Sequence, residues 1–150
     1  MKIFIMAGAL VFLSILGWSQ SNLEGYLVDN LCGKAGYPEG YQGKIDLTMT
    51  PEKNSVACLV MENCKATGFG LFIKGTGGKY VFHPFDAASN QRVTREILPK
   101  LTRMNDPSPL LKVAGRVTPQ GTIVSLTKVE LMQDQKVRPA PAPSMSGHSM

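Results

Sequence analysis

The side chains best suited to chemistry in this sequence are three cysteines, Cys32, Cys58 and Cys64. In an oxidising compartment two of them are expected to form a disulfide bond. The sequence does not choose among the three pairings, but pairing Cys32 with Cys58 or Cys64 would fasten the long intervening segment to the first strand. That bond would stabilise the fold by roughly 3–4 kcal/mol. The third cysteine is then either a buried, inert residue or a free thiol capable of exchange.

A metal site is a further interpretation of the same residues. Three thiolates together with His83 would form a closed site of the kind that zinc occupies. Two features argue against it. The C-x5-C spacing of Cys58 and Cys64 is wider than the usual zinc knuckle, and His83 stands within a strand pattern just before Pro84.

A second set of potential ligands, Met145, His148 and Met150, stands near the end of the chain. Thioethers with an imidazole suit Cu(I), and the pattern resembles the Met/His-rich segments with which exported copper-handling proteins gather copper. Residues 134–150 are rich in Pro, Ala, Ser and Gly, so we predict a disordered tail. We predict no cofactor, with copper as the one exception that the tail suggests. The alternative is that these Met and His residues are incidental.

Motifs of known catalytic sites are missing from the sequence. There is no G-x-S-x-G, no H-E-x-x-H and no phosphate-binding glycine loop. The glycine-rich residues 75–78 lie between two strand patterns and predict a hairpin turn. Asp29 and Asp86 stand near strand ends, where capping is a better interpretation than a catalytic carboxylate pair. We therefore predict that the protein is not an enzyme, with thiol exchange as the one catalytic alternative.

The start of the sequence predicts export. Lys2 is followed by an almost wholly apolar stretch, residues 3–18, which is shorter than the roughly 20 residues that a bilayer span needs. Small residues at positions 17 and 19 suit signal peptidase, so we predict a signal peptide over residues 1–19. The mature protein is then secreted or periplasmic, with no membrane span after cleavage.

Residues 22–133 are predicted to form one β-rich domain. Five segments enriched in β-branched, aromatic or Leu residues are bounded by turn residues, and they cover residues 23–31, 68–74, 79–85, 110–117 and 122–131. A change of apolar parity in the last segment predicts a one-residue bulge near Thr127. One helix is expected before the fourth strand, with Ser89 or Asn90 as its N-cap and its end at Leu98. Residues 51–61 could form a short helix.

Three strands, a helix and two strands form the element order of the oligomer-binding (OB) fold, a five-stranded, partly open β-barrel. The sequence also resembles small exported bacterial proteins of OB-like type. The resemblance covers residues 23–131 and rests on four motifs. The first two are GYLVD at residues 25–29 with Cys32, and Cys58 and Cys64 followed by GFG at 68–70. The other two are FDxxxN at 85–90, and VAGRV at 113–117 with IV at 123–124. The resemblance implies the OB-like fold and does not point to any particular activity. Many members carry a His shortly before the cysteine pair, where this sequence has Asn, Ser and Val, and that departure weakens a metal site taken from the resemblance.

These observations favour a binding module over an enzyme. The predicted barrel is expected to be a monomer that binds an envelope or extracellular ligand through its open face and long loop. The net charge of the chain is +5, of which Lys2 in the predicted signal peptide contributes one. The basic residues are scattered, and this modest excess favours acidic envelope polymers over nucleic acid. Five aromatic residues are candidate contacts, although some must be core: Tyr26, Tyr37, Tyr41, Phe69 and Tyr80. Copper handling through the tail and free thiol, and thiol–disulfide exchange, are the alternatives.

Overall fold

The computed structural model describes residues 19–132. Five strands account for most of the regular structure: β1 (Ser21–Asp29), β2 (Phe69–Lys74), β3 (Tyr80–Pro84), β4 (Leu110–Val117) and β5 (Ile123–Leu131). Four α-helices connect them: α1 (Asn30–Ala35), α2 (Val56–Val60), α3 (Glu62–Ala66) and α4 (Ala87–Glu96). The predicted tail, and the predicted signal peptide apart from Ser19, lie outside the described residues.

The five strands form one antiparallel sheet in the order β3-β2-β1-β4-β5. β1 is central and pairs with β2 on one side and β4 on the other. β3 and β5 are the edges, and a single parallel bridge between Phe85 and Ile123 connects the ends of the sheet. The predicted five-stranded, β-rich architecture is therefore confirmed, but the sheet does not close into a barrel.

Successive side chains of each strand point to opposite faces of the sheet, and apolar side chains are buried on both faces. One face packs against α4 in the main core, where Leu27, Phe69, Leu71 and Val93 are at most 1% exposed. The opposite face carries a smaller core of Val28, Cys32, Leu47 and Phe72. This second core lies under α1 and the connection that follows it, because Leu47 N–H donates to Gly36 O at 2.8 Å and Tyr80 N–H to Thr48 O at 2.7 Å. The long connection therefore covers the sheet.

The fold class with one helix is wrong, since three short helices occur between β1 and β2, although α2 lies within residues 51–61, where a short helix was predicted. Each has five or six residues and depends on tertiary contacts, because such lengths are marginal in isolation. The N-cap of α4 is Asp86, whose Oδ1 accepts from Ser89 N–H at 2.9 Å, instead of Ser89 or Asn90. The helix ends at Glu96, and a 3-10 turn follows at Leu98–Lys100.

The predicted irregularity in β5 occurs close to its expected position. The register shifts where Ala114 pairs with Lys128 but Arg116 pairs with Val124, so residues 125–127 oppose one residue of β4. Ser125 has a φ of 57° at this point. Ile123 and Val129 both reach the core, and the insertion is larger than the single residue predicted. Among residues 19–132, no helix is long and apolar enough to cross a membrane.

Candidate metal centre

Asp29 ends β1 and caps α1. Its Oδ1 accepts a hydrogen bond from Cys32 N–H at 2.9 Å, which is N-cap geometry. The D-x-x-C spacing thus places the carboxyl group and the thiol in one turn. Asp29 Oδ2 is buried and has no hydrogen-bond partner among the described residues. An uncompensated buried oxygen is energetically costly, so this atom indicates a site that lacks a partner.

Cys64 is held beside Cys32 by hydrogen bonds between the start of α1 and the end of α3. Asn30 N–H donates to Gly68 O at 2.8 Å, and Asn30 Nδ2 donates to Thr67 O at 2.6 Å. Thr67 Oγ1 in turn donates to Cys64 O at 2.7 Å. These bonds fix the backbone around Cys64 against the first turn of α1. Two cysteines far apart in the chain thereby lie side by side.

Asp29, Cys32 and Cys64 form a buried cluster, which we call the DCC cluster. Each offers one ligand atom, and these atoms all lie within 4.8 Å of one another. None of the three residues is more than 1% exposed. A tetrahedral zinc ion with Zn–S bonds of about 2.3 Å holds two sulfurs about 3.8 Å apart. Side-chain movements of about 1 Å would therefore bring the cluster to metal-binding distances.

Glu39 adds a further oxygen from the surface side of the cluster. The Cys64 thiol donates to Glu39 Oε2 at a long distance, 4.0 Å, while Glu39 itself is exposed. The backbone of Glu39 also acts to lower the pKa of Cys32, against the larger effect of burial. The long connection after α1 thus covers the DCC cluster and supplies Glu39 as a candidate fourth ligand.

The environment of the two thiols keeps both protonated at neutral pH. Burial is the main cause that raises the pKa of Cys64 to about 11, and the Asp29 and Glu39 carboxylates raise it further. Burial and then the charge of Asp29 raise the pKa of Cys32 far above its usual range. Since the thiolate is the nucleophile in disulfide exchange, these two thiols are poor exchange catalysts. A cation would reverse this preference, because it binds the thiolate forms.

The predicted disulfide is not formed, because all three cysteines are free. The predicted set of three thiolates with His83 also needs correction, since the cluster contains two of the cysteines and Asp29. Cys58 is half-buried on α2, where its sulfur accepts from Ser55 Oγ at 3.8 Å. His83 lies on β3, with its Nδ1 2.9 Å from Gly121 O. The tail residues Met145, His148 and Met150 lie outside the described part of the chain.

The five candidate aromatic residues do not form one surface. Phe69 is 1% exposed in the main core, on the α4 side of the sheet, which leaves it no contact surface for a ligand. Tyr26 and Tyr80 are half-buried against the second core, with ring centroids 5.8 Å apart in an edge-to-face contact. Tyr41 is 50% exposed, and Tyr37 lines a surface cleft of about 440 Å³ beside Lys44.

Sequence reasoning missed two of the oxygen donors. The sequence analysis interpreted Asp29 and Asp86 only as capping residues, and the structure confirms the capping role of both. The D-x-x-C spacing was the available signal, because a capping carboxylate three residues before a cysteine must lie near its side chain. Nothing in the sequence points to Glu39, since a tertiary contact alone places it near Cys64.

Comparisons with protein-family models, with curated proteins and with solved structures found no match for this chain. The function must therefore be argued from the chemistry of the DCC cluster and of the described surface.

Proposed function

We propose that this protein is an exported metal-binding module that holds a soft or borderline cation at the DCC cluster. The observation that carries the proposal is the buried, unpartnered Oδ2 of Asp29 beside two buried thiols. Two thiolates and a carboxylate form a ligand set that zinc accepts. With both thiols deprotonated, the cluster would hold three anionic groups in a buried space, whose charge a cation would compensate, and Zn²⁺ would compensate more of it than Cu⁺.

The proposal includes the OB-like architecture and the export predicted from the sequence. The strand order supports the first, because β3-β2-β1-β4-β5 follows the order around an OB barrel opened between β3 and β5. The bridge between Phe85 and Ile123 lies where that barrel would close. The apolar residues 3–18 support the second.

Zinc titration of the reduced protein tests the metal function. We expect one Zn²⁺ per chain in competition with a chromogenic chelator. Loss of even an outer-shell partner costs 10–100-fold in affinity, so Cys32→Ser, Cys64→Ser and Asp29→Asn should each lower the affinity at least about 100-fold. Asp29→Asn is informative because Asn remains a good N-cap, so the fold should persist while the anionic oxygen is lost.

Matched variants separate this site from the other candidates. Cys58→Ser should leave the zinc affinity unchanged, and so should joint replacement of Met145, His148 and Met150 by Ser. If wild-type affinity survives in Cys32→Ser and Cys64→Ser, the DCC cluster is not the site. Repeating the series with Cu(I) distinguishes the ion, since Cu(I) held by two thiolates alone would be insensitive to Asp29→Asn.

A second candidate function is binding of an anionic carbohydrate polymer at the cleft beside Tyr37. The long connection places Tyr37, Lys44, Asp46 and Thr48 around this cleft, with the half-exposed Tyr41 in the same segment. Lys44 and Asp46 offset each other in charge within the cleft, so the electrostatic attraction comes from the charge of the whole protein. A tyrosine side chain combines an apolar ring with a polar hydroxyl group, so it suits binding surfaces that are partly apolar and partly solvated. Without Lys2 of the predicted signal peptide, the net charge of +5 falls to +4, which still favours an acidic polymer.

Binding to a soluble polyuronate tests this second candidate. We expect Tyr37→Ala and Lys44→Ala each to weaken binding by about 5–30-fold, a loss of about 1–2 kcal/mol that is typical of a contact residue. Val81→Ala is the control, because Val81 is 50% exposed on β3 and does not line the cleft. Equal binding to polyuronate and neutral dextran would contradict the electrostatic argument, and equal binding by all variants would remove the cleft from consideration.

A further inference from the structure

We propose that metal binding and a Cys32–Cys64 disulfide are mutually exclusive states of the DCC cluster, so that oxidation releases the metal. This inference rests on the proposed metal function and adds a regulation to it. It starts from the two buried sulfurs, which lie within 4.8 Å of each other in the DCC cluster.

The geometry singles out one disulfide among the three pairings. Cys32 and Cys64 share the DCC cluster, whereas Cys58 lies outside it with Ser55 as its hydrogen-bond partner. The backbone N–H and side-chain Nδ2 of Asn30 already hold the start of α1 against residues 67–68 at the end of α3. Within this frame, disulfide formation must shorten the sulfur–sulfur distance from at most 4.8 Å to roughly 2 Å.

Charge gives the physical reason for two alternative states. With both cysteines as thiolates, the cluster carries three negative charges in a buried space, and a cation compensates them. A disulfide removes two of these charges and both sulfur ligands. The oxygens of Asp29 and Glu39 that remain are hard donors, which hold a soft or borderline metal weakly. One buried cluster thus has a metal-bound reduced state and a metal-free oxidised state.

A peroxide supplies the oxidant in this scheme. The thiolate form of one cysteine, a small fraction at neutral pH, attacks the peroxide O–O bond, which, with one proton from solvent, forms a sulfenic acid and releases one water. The sulfur of the second cysteine then attacks the sulfenic sulfur, so that the S–S bond forms, the S–O bond breaks and a second water leaves. Overall, two thiols and one hydrogen peroxide give one disulfide and two waters. Two electrons pass from the sulfur pair to the peroxide.

The test uses the Cys58→Ser protein, in which Cys32 and Cys64 are the only thiols. After hydrogen peroxide treatment, we expect the loss of both alkylatable thiols and of about 2 Da, the two hydrogens removed in disulfide formation. Zinc affinity should fall at least about 100-fold and return after reduction with a dithiol. Zinc bound beforehand should slow thiol loss at least about 10-fold, because the metal occupies the sulfur electron pairs that attack peroxide.

The outcomes separate this inference from the proposed function. If the reduced protein does not bind zinc, the metal function fails and the inference with it. If the reduced protein binds zinc but the peroxide-treated protein keeps both thiols or its zinc affinity, the inference alone is overturned. Mass gains of one or more oxygens without a disulfide would also overturn it. Cys32→Ser and Cys64→Ser on the same background should lose the 2 Da signature, whatever their stability.

Discussion

Phe69→Ala is expected to lower the free energy of unfolding by about 3–5 kcal/mol, the range for removing a buried Phe side chain. Phe69 opens β2 and is 1% exposed in the main core beside Leu71 and Val93. Its backbone is fixed on both sides, because its N–H donates to Asn90 Oδ1 at 2.7 Å and its carbonyl accepts from Phe85 N–H at 2.9 Å. The core cannot readily collapse into the space that the ring leaves. Chemical denaturation of both proteins measures the difference.

Tyr41→Ala is the matched control for Phe69→Ala. Tyr41 is 50% exposed, so its removal should change stability by at most about 0.5 kcal/mol. The two variants also test where the aromatic residues lie, because the sequence analysis predicted both Phe69 and Tyr41 as ligand contacts. A loss below about 1 kcal/mol in Phe69→Ala would contradict the buried position of this ring.

Gly70→Ala is expected to destabilise the fold by about 3 kcal/mol, near the upper end of the cost of overpacking. A Cβ at Gly70 would lie 2.5 Å from the backbone oxygen of His83 and 2.5 Å from the Phe82 ring. The carbonyl belongs to the neighbouring strand β3, which pairs with β2 through Gly70 and Pro84. A backbone atom in a paired strand cannot move aside as a flexible side chain can. Thermal unfolding and denaturant titration measure the change.

Gly75→Ala is the control for Gly70→Ala, since Gly75 follows the same strand. A Cβ there would lie 3.2 Å from Lys79 O, a contact that a shift of a few tenths of an ångström relieves. Its φ of −91° is also open to any residue. We expect a change of less than about 1 kcal/mol. Equal losses at the two positions would show that the clash at Gly70 is relieved elsewhere.

The sequence predicts the strands well because their signal is local. Alternating apolar residues and turn residues such as those at 75–78 and 119–121 identify all five strands to within two residues at each end. The capping role of Asp29 and Asp86 is equally local, because a carboxylate at a strand end can accept from the N–H three residues later. The short helices before β2 carry no comparable signal, since lengths of five or six residues depend on packing.

The sequence by itself determined the β-rich class, the strand positions, the set of three cysteines and the capping role of Asp29. Only the tertiary structure decided which second cysteine joins Asp29 and Cys32, because the hydrogen bonds of Asn30 and Thr67 bring α3 against α1. It also decided which face of the sheet buries each aromatic residue, and that Glu39 reaches Cys64 from the surface. Contacts between residues distant in the chain have no periodic signature, so the DCC cluster becomes visible only once the chain has folded.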